Sequence, residues 1–310
     1  MIHVLAIITA KPGQRDAILA AFRANMPAVH AEKGCIEYQP VVDVENFGAI
    51  QTPLGPDTFV VVEKWATADD LGHPVAVTNH STRVVSLVPS ITEALASVRR
   101  EAIVGATDWC THPGDLEVTR IRGTKNPDLK LIESLQPELV IANKEENRRL
   151  DVERLRAAGV PVWVTDIESV PQALTSLGRL YDAALGWERP DWLAEAERLW
   201  SASAPIRGRI AVPIWRDPWM VVGGDTFTSD LLLRLGWENA FASAQRYPQV
   251  EVADIDAAGA GVILLPDEPY EFTAADGPEA FAMTPTRLVS GRLLTWYGPS
   301  LIEAHEVFAS

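Results

Sequence analysis

Cysteine is nearly absent from this chain, and long apolar runs are missing altogether. Only two cysteines, Cys35 and Cys110, occur in 310 residues, far apart, which excludes a disulfide framework. No stretch approaches the roughly 20 apolar residues that span a bilayer. Basic residues are outnumbered 27 to 42, and the net charge of −15 argues against nucleic acid or an anionic membrane as partner. The signatures HExxH and CxxC do not occur, nor does a Ser-His-Asp set stand out. The opening MIHVLAIITAKPGQRD has no basic leader and no small-residue cleavage site after its apolar run. It reads as a first strand, and cytoplasmic residence is the expectation.

What is present fits a globular protein of more than one unit. Hydrophobic residues make up 47% of the chain and charged residues 22%, a balance that disordered segments lack. A length of 310 residues exceeds one ordinary core. Composition breaks over residues 68–82, ATADDLGHPVAVTNHST, which are rich in polar and turn-forming residues.

Before the break the periodicity predicts a strand over 3–9, a turn at Lys11-Pro12-Gly13 and an amphipathic helix over 15–32. That helix carries Ile18, Leu19, Phe22 and Met26 on one face. Residues 35–44 and 58–65 alternate like half-buried antiparallel strands, with a loop over 51–56 between them.

After the break strands alternate with helices, the pattern of parallel α/β units. Strands are expected over 83–87, up to Val104, over 139–142 and over 160–164. A helix opens at Pro89, and 128–135 has helical spacing of Leu129, Ile132 and Leu135. Residues 170–203 are mostly helical, interrupted at 186–190. A second α/β lobe follows, with strands over 210–214 and 261–265 and helices over 229–235 and 300–308. Two strands end abruptly in chemically rich loops: Thr107-Asp108-Trp109-Cys110-Thr111-His112, and Asn143-Lys144-Glu145-Glu146-Asn147. Ligands of open parallel sheets bind beyond the carboxyl ends of the strands, where such loops converge.

The ordered segments RVVSLVPSITEAL, VGATDWCTHP, LQPELVIANKEEN and LRAAGVPVWVTD, then WRDPWMVVGGDTF, LLLRLGWENAF, RYPQV, LLPDEPYEF and TWYGPSLIEA, carry a family likeness. Residues 71–310 resemble the helical backbone metal receptors, the class of periplasmic binding proteins that includes the cobalamin-binding protein of ABC importers. MIHVLAIITAKPGQRDAILAAF, AEKGCIEYQPVVD and TFVVVEKW resemble the antibiotic-biosynthesis monooxygenase domain, a dimeric ferredoxin-like fold. That domain's second helix and last strand find no match after Trp65. The resemblances imply an α/β protein of two α/β lobes joined by a helical backbone, preceded by an incomplete ferredoxin-like α+β unit. The expected divisions are 1–68 (truncated monooxygenase-like unit), 71–166 (N-lobe), 167–207 (helical linker) and 208–310 (C-lobe).

The receptor resemblance implies a ligand site between the lobes, formed by Trp109, Thr124, Lys125, Asn143, Trp215, Arg216, Asp217, Trp219, Tyr247, Trp296 and Tyr297. Thr124-Lys125 and Asn143 stand where the cobalamin binder has tryptophans. The implied ligand is a corrinoid or metal chelate, stacked on aromatic rings, its acidic groups met by Lys125, Arg216 or Arg292. An ABC permease is the implied partner, and a homodimer through the N-terminal unit would complete its sheet.

Cys110 and His112 are metal-ligating types, but two ligands do not make a site, and a loop with an inert thiol and a surface His is the plainer reading. Glu145, Glu146 and Arg148 read as a solvated helix start. Asp267-Glu268-Pro269-Tyr270 reads equally as a ligand contact or a hinge cap, and Gly223-Gly224 is too short for a phosphate loop. A non-catalytic binder is therefore the leading reading. A cofactor-dependent monooxygenase, using the N-terminal unit or the cleft, is the alternative, and an assembly protein that lost transport is the third.

Overall fold

The computed structural model describes residues 2–31, 35–44, 52–65, 67–78 and 80–309, and divides into two compact units, Met1–Asn79 and His80–Ser310. In the first, β1 (Ile2–Thr9), α1 (Arg15–His30), β2 (Cys35–Val41) and β3 (Thr58–Trp65) form an antiparallel sheet in the order β1-β3-β2. Alternation along the strands decides which face is covered. Ile18, Leu19 and Phe22 of α1 press on Ala6, Ile8, Tyr38, Phe59 and Val61. On the opposite face, Ile7 lies against Val60 and Leu5 against Val62. There Leu5 is 69% and Ile7 65% exposed. The short hairpin β4 (Thr67–Ala68) and β5 (Pro74–Val75) follows. The strand expected over 35–44 stops at Val41. Glu32 and Gln51, at the margins of the expected helix and loop, lie outside the described residues.

The second unit opens with β6 (Val84–Ser86), α2 (Pro89–Arg99), β7 (Ile103–Ala106), β8 (Thr119–Arg120), α3 (Leu129–Ser134), β9 (Leu139–Asn143), α4 (Arg149–Ala157) and β10 (Val162–Thr165). These strands make one parallel sheet in the order β10-β9-β6-β7-β8. Every residue of β6, β9 and β10 is buried, as expected of strands covered by helices on both faces. Asp128 caps α3 by accepting from the Leu131 amide at 3.1 Å. Strand β7 runs two residues past Val104, the end expected from sequence.

The linker is α5 (Val170–Arg179), continued by one wide π-helical stretch, Leu180–Leu185, and closed by Gly186 in the left-handed conformation. It is followed by α6 (Asp191–Leu199). The Val170 amide donates to Asp230 of the C-lobe at 2.8 Å. The Tyr181 hydroxyl donates to the Ala94 carbonyl of the N-lobe at 2.7 Å, and Trp187 Nε1 to the Ser81 carbonyl at 2.9 Å.

The C-lobe comprises β11 (Gly208–Ala211), β12 (Pro213–Trp215), β13 (Met220–Val221), α7 (Phe227–Arg234), β14 (Trp237–Asn239), α8 (Val252–Asp256), β15 (Val262–Pro266), β16 (Thr286–Val289), α9 (Gly291–Thr295) and α10 (Ser300–Ala309). Its main sheet is parallel in the order β14-β11-β15-β16. The single strand expected over 210–214 is in fact two. Pro213 cannot donate to the β11 ladder, so the chain leaves that sheet and pairs antiparallel with β13.

Candidate functional site

Loops at the carboxyl ends of β7, β8 and β9 face loops of the C-lobe, and the contact is polar and aromatic. The loop after β9 is built by two asparagines. Asn143 is buried; its amide donates to Asn147 Oδ1 at 2.8 Å, and its own Oδ1 accepts from the amides of Glu145 and Glu146 at 2.8 and 3.2 Å. Its Nδ2 donates to Thr165 Oγ1 at 3.1 Å. Asn147 in turn donates to the carbonyls of Leu87 and Thr124. Asn143 is therefore consumed in shaping the turn, and it is Glu145 and Glu146 that reach the C-lobe. This corrects both expectations at once: the asparagine is internal, and the two glutamates are not a solvated helix start.

Their partners come from two C-lobe loops. The Gly223 amide donates to the Arg246 carbonyl at 2.6 Å and the Gly224 amide to the Ala244 carbonyl at 2.7 Å. A strap is thereby held that presents Arg246 and Tyr247. Arg246 pairs with Glu145 through one guanidinium nitrogen and with Glu168 through another at 3.0 Å. From the loop before α10, the Tyr297 hydroxyl donates to Glu146 Oε1 at 3.2 Å. Lys125 Nζ donates to the Glu145 carbonyl at 2.5 Å. Arg292 pairs with Glu93 of α2 and, at 2.7 Å, with Glu303.

Burial changes the chemistry of this contact. Loss of water pushes the Glu146 carboxyl up to about 7; the Tyr297 hydrogen bond and Lys125 pull it down, while Glu145 and Glu268 push it further up. Burial likewise raises Glu268, which stands beside Asp267 and the Trp296 indole. The Tyr297 phenol is held far above its ordinary range by burial and by the neighbouring Glu146.

The aromatic residues divide into two groups. Trp296 is nearly buried and meets the His112 ring edge-on at 5.4 Å, and Phe227 meets Tyr297 at the same distance. Trp109 is 65% exposed at the rim of the loop after β7. Trp219, by contrast, stacks on Phe272 at 5.7 Å and meets Phe281 at 5.3 Å, packed against the C-lobe core. Trp215 packs on Tyr270, and Arg216 pairs with Asp276 and Glu279. The Asp217 side chain points out to solvent. Lys125, Tyr247, Trp296, Tyr297 and the Thr124 backbone thus gather around Glu145 and Glu146. Trp215, Arg216, Asp217 and Trp219 form a cluster of their own, and neither Arg216 nor Arg292 is left to meet a ligand's acidic groups.

Cys110 is fully buried between the Thr92 and Thr107 hydroxyls, 3.0 and 3.1 Å from its sulfur, and burial pushes its thiol up. His112 turns instead to Trp296. Among the described residues no group of three or more His, Cys, Asp or Glu is arranged to hold a metal ion. Arg246 was not singled out from the sequence, which read Glu145 and Glu146 as a solvated helix start and left Glu268 equally a ligand contact or a hinge cap. The signal that would have found them is their position, directly after buried strands or beside a paired glycine.

Residues 1–73 match the antibiotic biosynthesis monooxygenase family model. Over 67 residues, 21% of this chain and 64% of the relative, they are 39% identical to a probable quinol monooxygenase, YgiN, of Escherichia coli. The remainder is similar to the vitamin B12-binding protein of Vibrio parahaemolyticus, 28% identical over 185 residues, 56% of this chain and 66% of that protein. The chain thus spans just under two thirds of each of these two relatives. An uncharacterised ABC transporter substrate-binding lipoprotein of Bacillus subtilis, YvrC, is 24% identical over 78% of this chain and 84% of its own length. Among solved structures, the periplasmic vitamin B12-binding protein BtuF of Vibrio cholerae superposes with a TM-score of 0.60 at 18% identity, over 74% of this chain and 95% of its own. The periplasmic haem-binding protein RhuT of Roseiflexus sp. RS-1 gives 0.63 at 22% identity, over 74% and 98%. These periplasmic proteins and the lipoprotein overturn the expectation of cytoplasmic residence. The chain carries an antibiotic biosynthesis monooxygenase domain at its start, and its larger part has the two-lobed α/β fold of the vitamin B12- and haem-binding periplasmic proteins.

Proposed function

We propose that residues 80–310 bind a flat metal chelate, a corrinoid or haem-like ring, between the two lobes and present it to an ABC permease without chemical change. One observation carries this reading: Trp109, Trp296 and Tyr297 stand where the loops of two parallel sheets meet, in a fold shared with receptors for such rings. Aromatic faces suit a planar ring, and the Glu146–Tyr297 and Arg246–Glu145 contacts join the two lobes at the place where such a ring would lie. The Thr124 backbone and Lys125 line the N-lobe side, and Tyr247 the C-lobe side. The open face of the β1-β3-β2 sheet supports a homodimer through the N-terminal unit.

The test is a spectroscopic titration of the full chain with cyanocobalamin and with haemin. One of them should bind at one equivalent and quench tryptophan emission, and Trp296→Ala should weaken binding by about 1–3 kcal/mol. Absence of any spectral or fluorescence change with both rings at about 100 μM, a concentration that reveals even weak complexes, would end this reading.

A further inference from the structure

We infer that the cleft selects its ligand by charge, admitting a chelate whose periphery ends in amides or other hydrogen-bond donors and rejecting one whose periphery ends in carboxylates, with Glu146 as the specificity-determining group. The inference rests on the chelate reading above and deepens it.

A receptor for a carboxylate-bearing ring needs uncommitted cations where the ring lies. Here the arginines are engaged elsewhere. Arg246 is shared between Glu145 and Glu168, and Arg292 between Glu93 and Glu303. Arg216 is shared between Asp276 and Glu279. Lys125, exposed at the margin, turns its ammonium onto the Glu145 carbonyl. What meets at the junction of the lobes is acceptor-rich: Glu146 from the N-lobe, Glu268 from the C-lobe and Glu145 beside them.

Glu146 has an oxygen to offer. Tyr297 is its one hydrogen-bond donor among the described residues and occupies Oε1, leaving Oε2 for a donor on the ligand. A carboxylate brought to the same place would meet a desolvated negative charge that the Lys125 ammonium, held at the exposed margin, offsets only in part, and such repulsion is strong where water is excluded. The groups that face Glu146 are Tyr297, Glu268 and Tyr247 from the C-lobe, Lys125 from the loop after β8, Cys110 from the loop after β7, and Glu145 on its own loop. Because the Glu146 carboxyl titrates near 7, the discrimination must fade as the pH falls below that value, while a ligand's ordinary carboxylates stay ionised at pH 6.

The experiment uses the full chain and two matched pairs, so that ring shape is held constant within each. Cyanocobalamin is compared with its side-chain monocarboxylic acids, and the diamide of haem with haemin. For whichever ring is bound, the amide form should bind at least about tenfold more tightly at pH 8, and the gap should shrink at pH 6. Glu146→Gln should remove the gap at pH 8 and its pH dependence. Glu268→Gln should narrow it less, which guards against a folding defect in the first variant. Equal affinity within a pair at pH 8, or a gap that survives Glu146→Gln, overturns the charge selection while leaving the chelate site standing. Binding of neither ring by the wild-type chain removes the site and this inference together.

Discussion

Burial of Glu146 makes the protein's stability sensitive to pH. Its carboxyl is raised from an ordinary 4.5 to about 7, so the folded state holds a proton that the unfolded state releases. The stabilisation is complete below pH 4.5 and is lost as the pH rises through 7. Denaturant titrations at pH 5.5 and 8 should show Glu146→Gln flattening this decline and raising stability at pH 8 by roughly 2 kcal/mol, reduced from full conversion of the shift by residual solvent contact. A variant less stable than wild type at pH 8 would contradict the assignment. At this scale the sequence put Trp296, Tyr297, Tyr247 and Lys125 in the loops where the structure has them. The internal role of Asn143 and the burial of the glutamates could not be read, and the reason is range. Tyr297 and Arg246, which take Glu146 and Glu145 out of water, lie 151 and 101 residues further along. Locally, the glutamates stand beside Arg148 and Arg149 and look like a solvated helix start.

Among the elements, the strap behind Arg246 depends on backbones that nearly touch. A Cβ at Gly224 would lie 2.3 Å from the Ala242 carbonyl oxygen, and one at Gly223 2.5 Å from that of Ala244. Both obstacles are backbone, so neither can swing aside. Gly224→Ala should therefore destabilise by about 2–3 kcal/mol in calorimetric melting. Gly114→Ala, whose Cβ would have only the Thr111 carbonyl at 3.8 Å, should stay within about 0.5 kcal/mol of wild type. Equal melting of the two variants would show that the strap yields. Elements with an uninterrupted period were readable: the strand over 58–65 and the helix from Pro89 stand where the periodicity puts them. The segment over 210–214 was not, because its apolar run continues through the proline at which the chain changes sheets.

For the molecule as a whole, the two units differ in how completely each covers its own core. The parallel sheets of the second are enclosed by helices, whereas the first exposes Leu5 and Ile7 on an uncovered sheet face. Residues 80–310 alone should melt in one cooperative transition and keep the full affinity for the chelate. Residues 1–79 should aggregate or self-associate, and Ile7→Lys in the full chain should abolish the proposed self-association, read by sedimentation. A monomeric, cooperatively melting 1–79 fragment would refute the uncovered-face argument. The linker has a mechanical consequence. Ten residues of α5 run unbroken into six more, forming a strut of about 24 Å. The strut is fastened to the C-lobe at Val170 and to the N-lobe at Tyr181. Bending the lobes apart would strain a hydrogen-bonded rod along its length, where a pair of extended strands would simply flex. The second unit is built to be stiff against opening and closing, so anything that enters between its lobes must do so by the yielding of side chains at the mouth, with the frame itself nearly still.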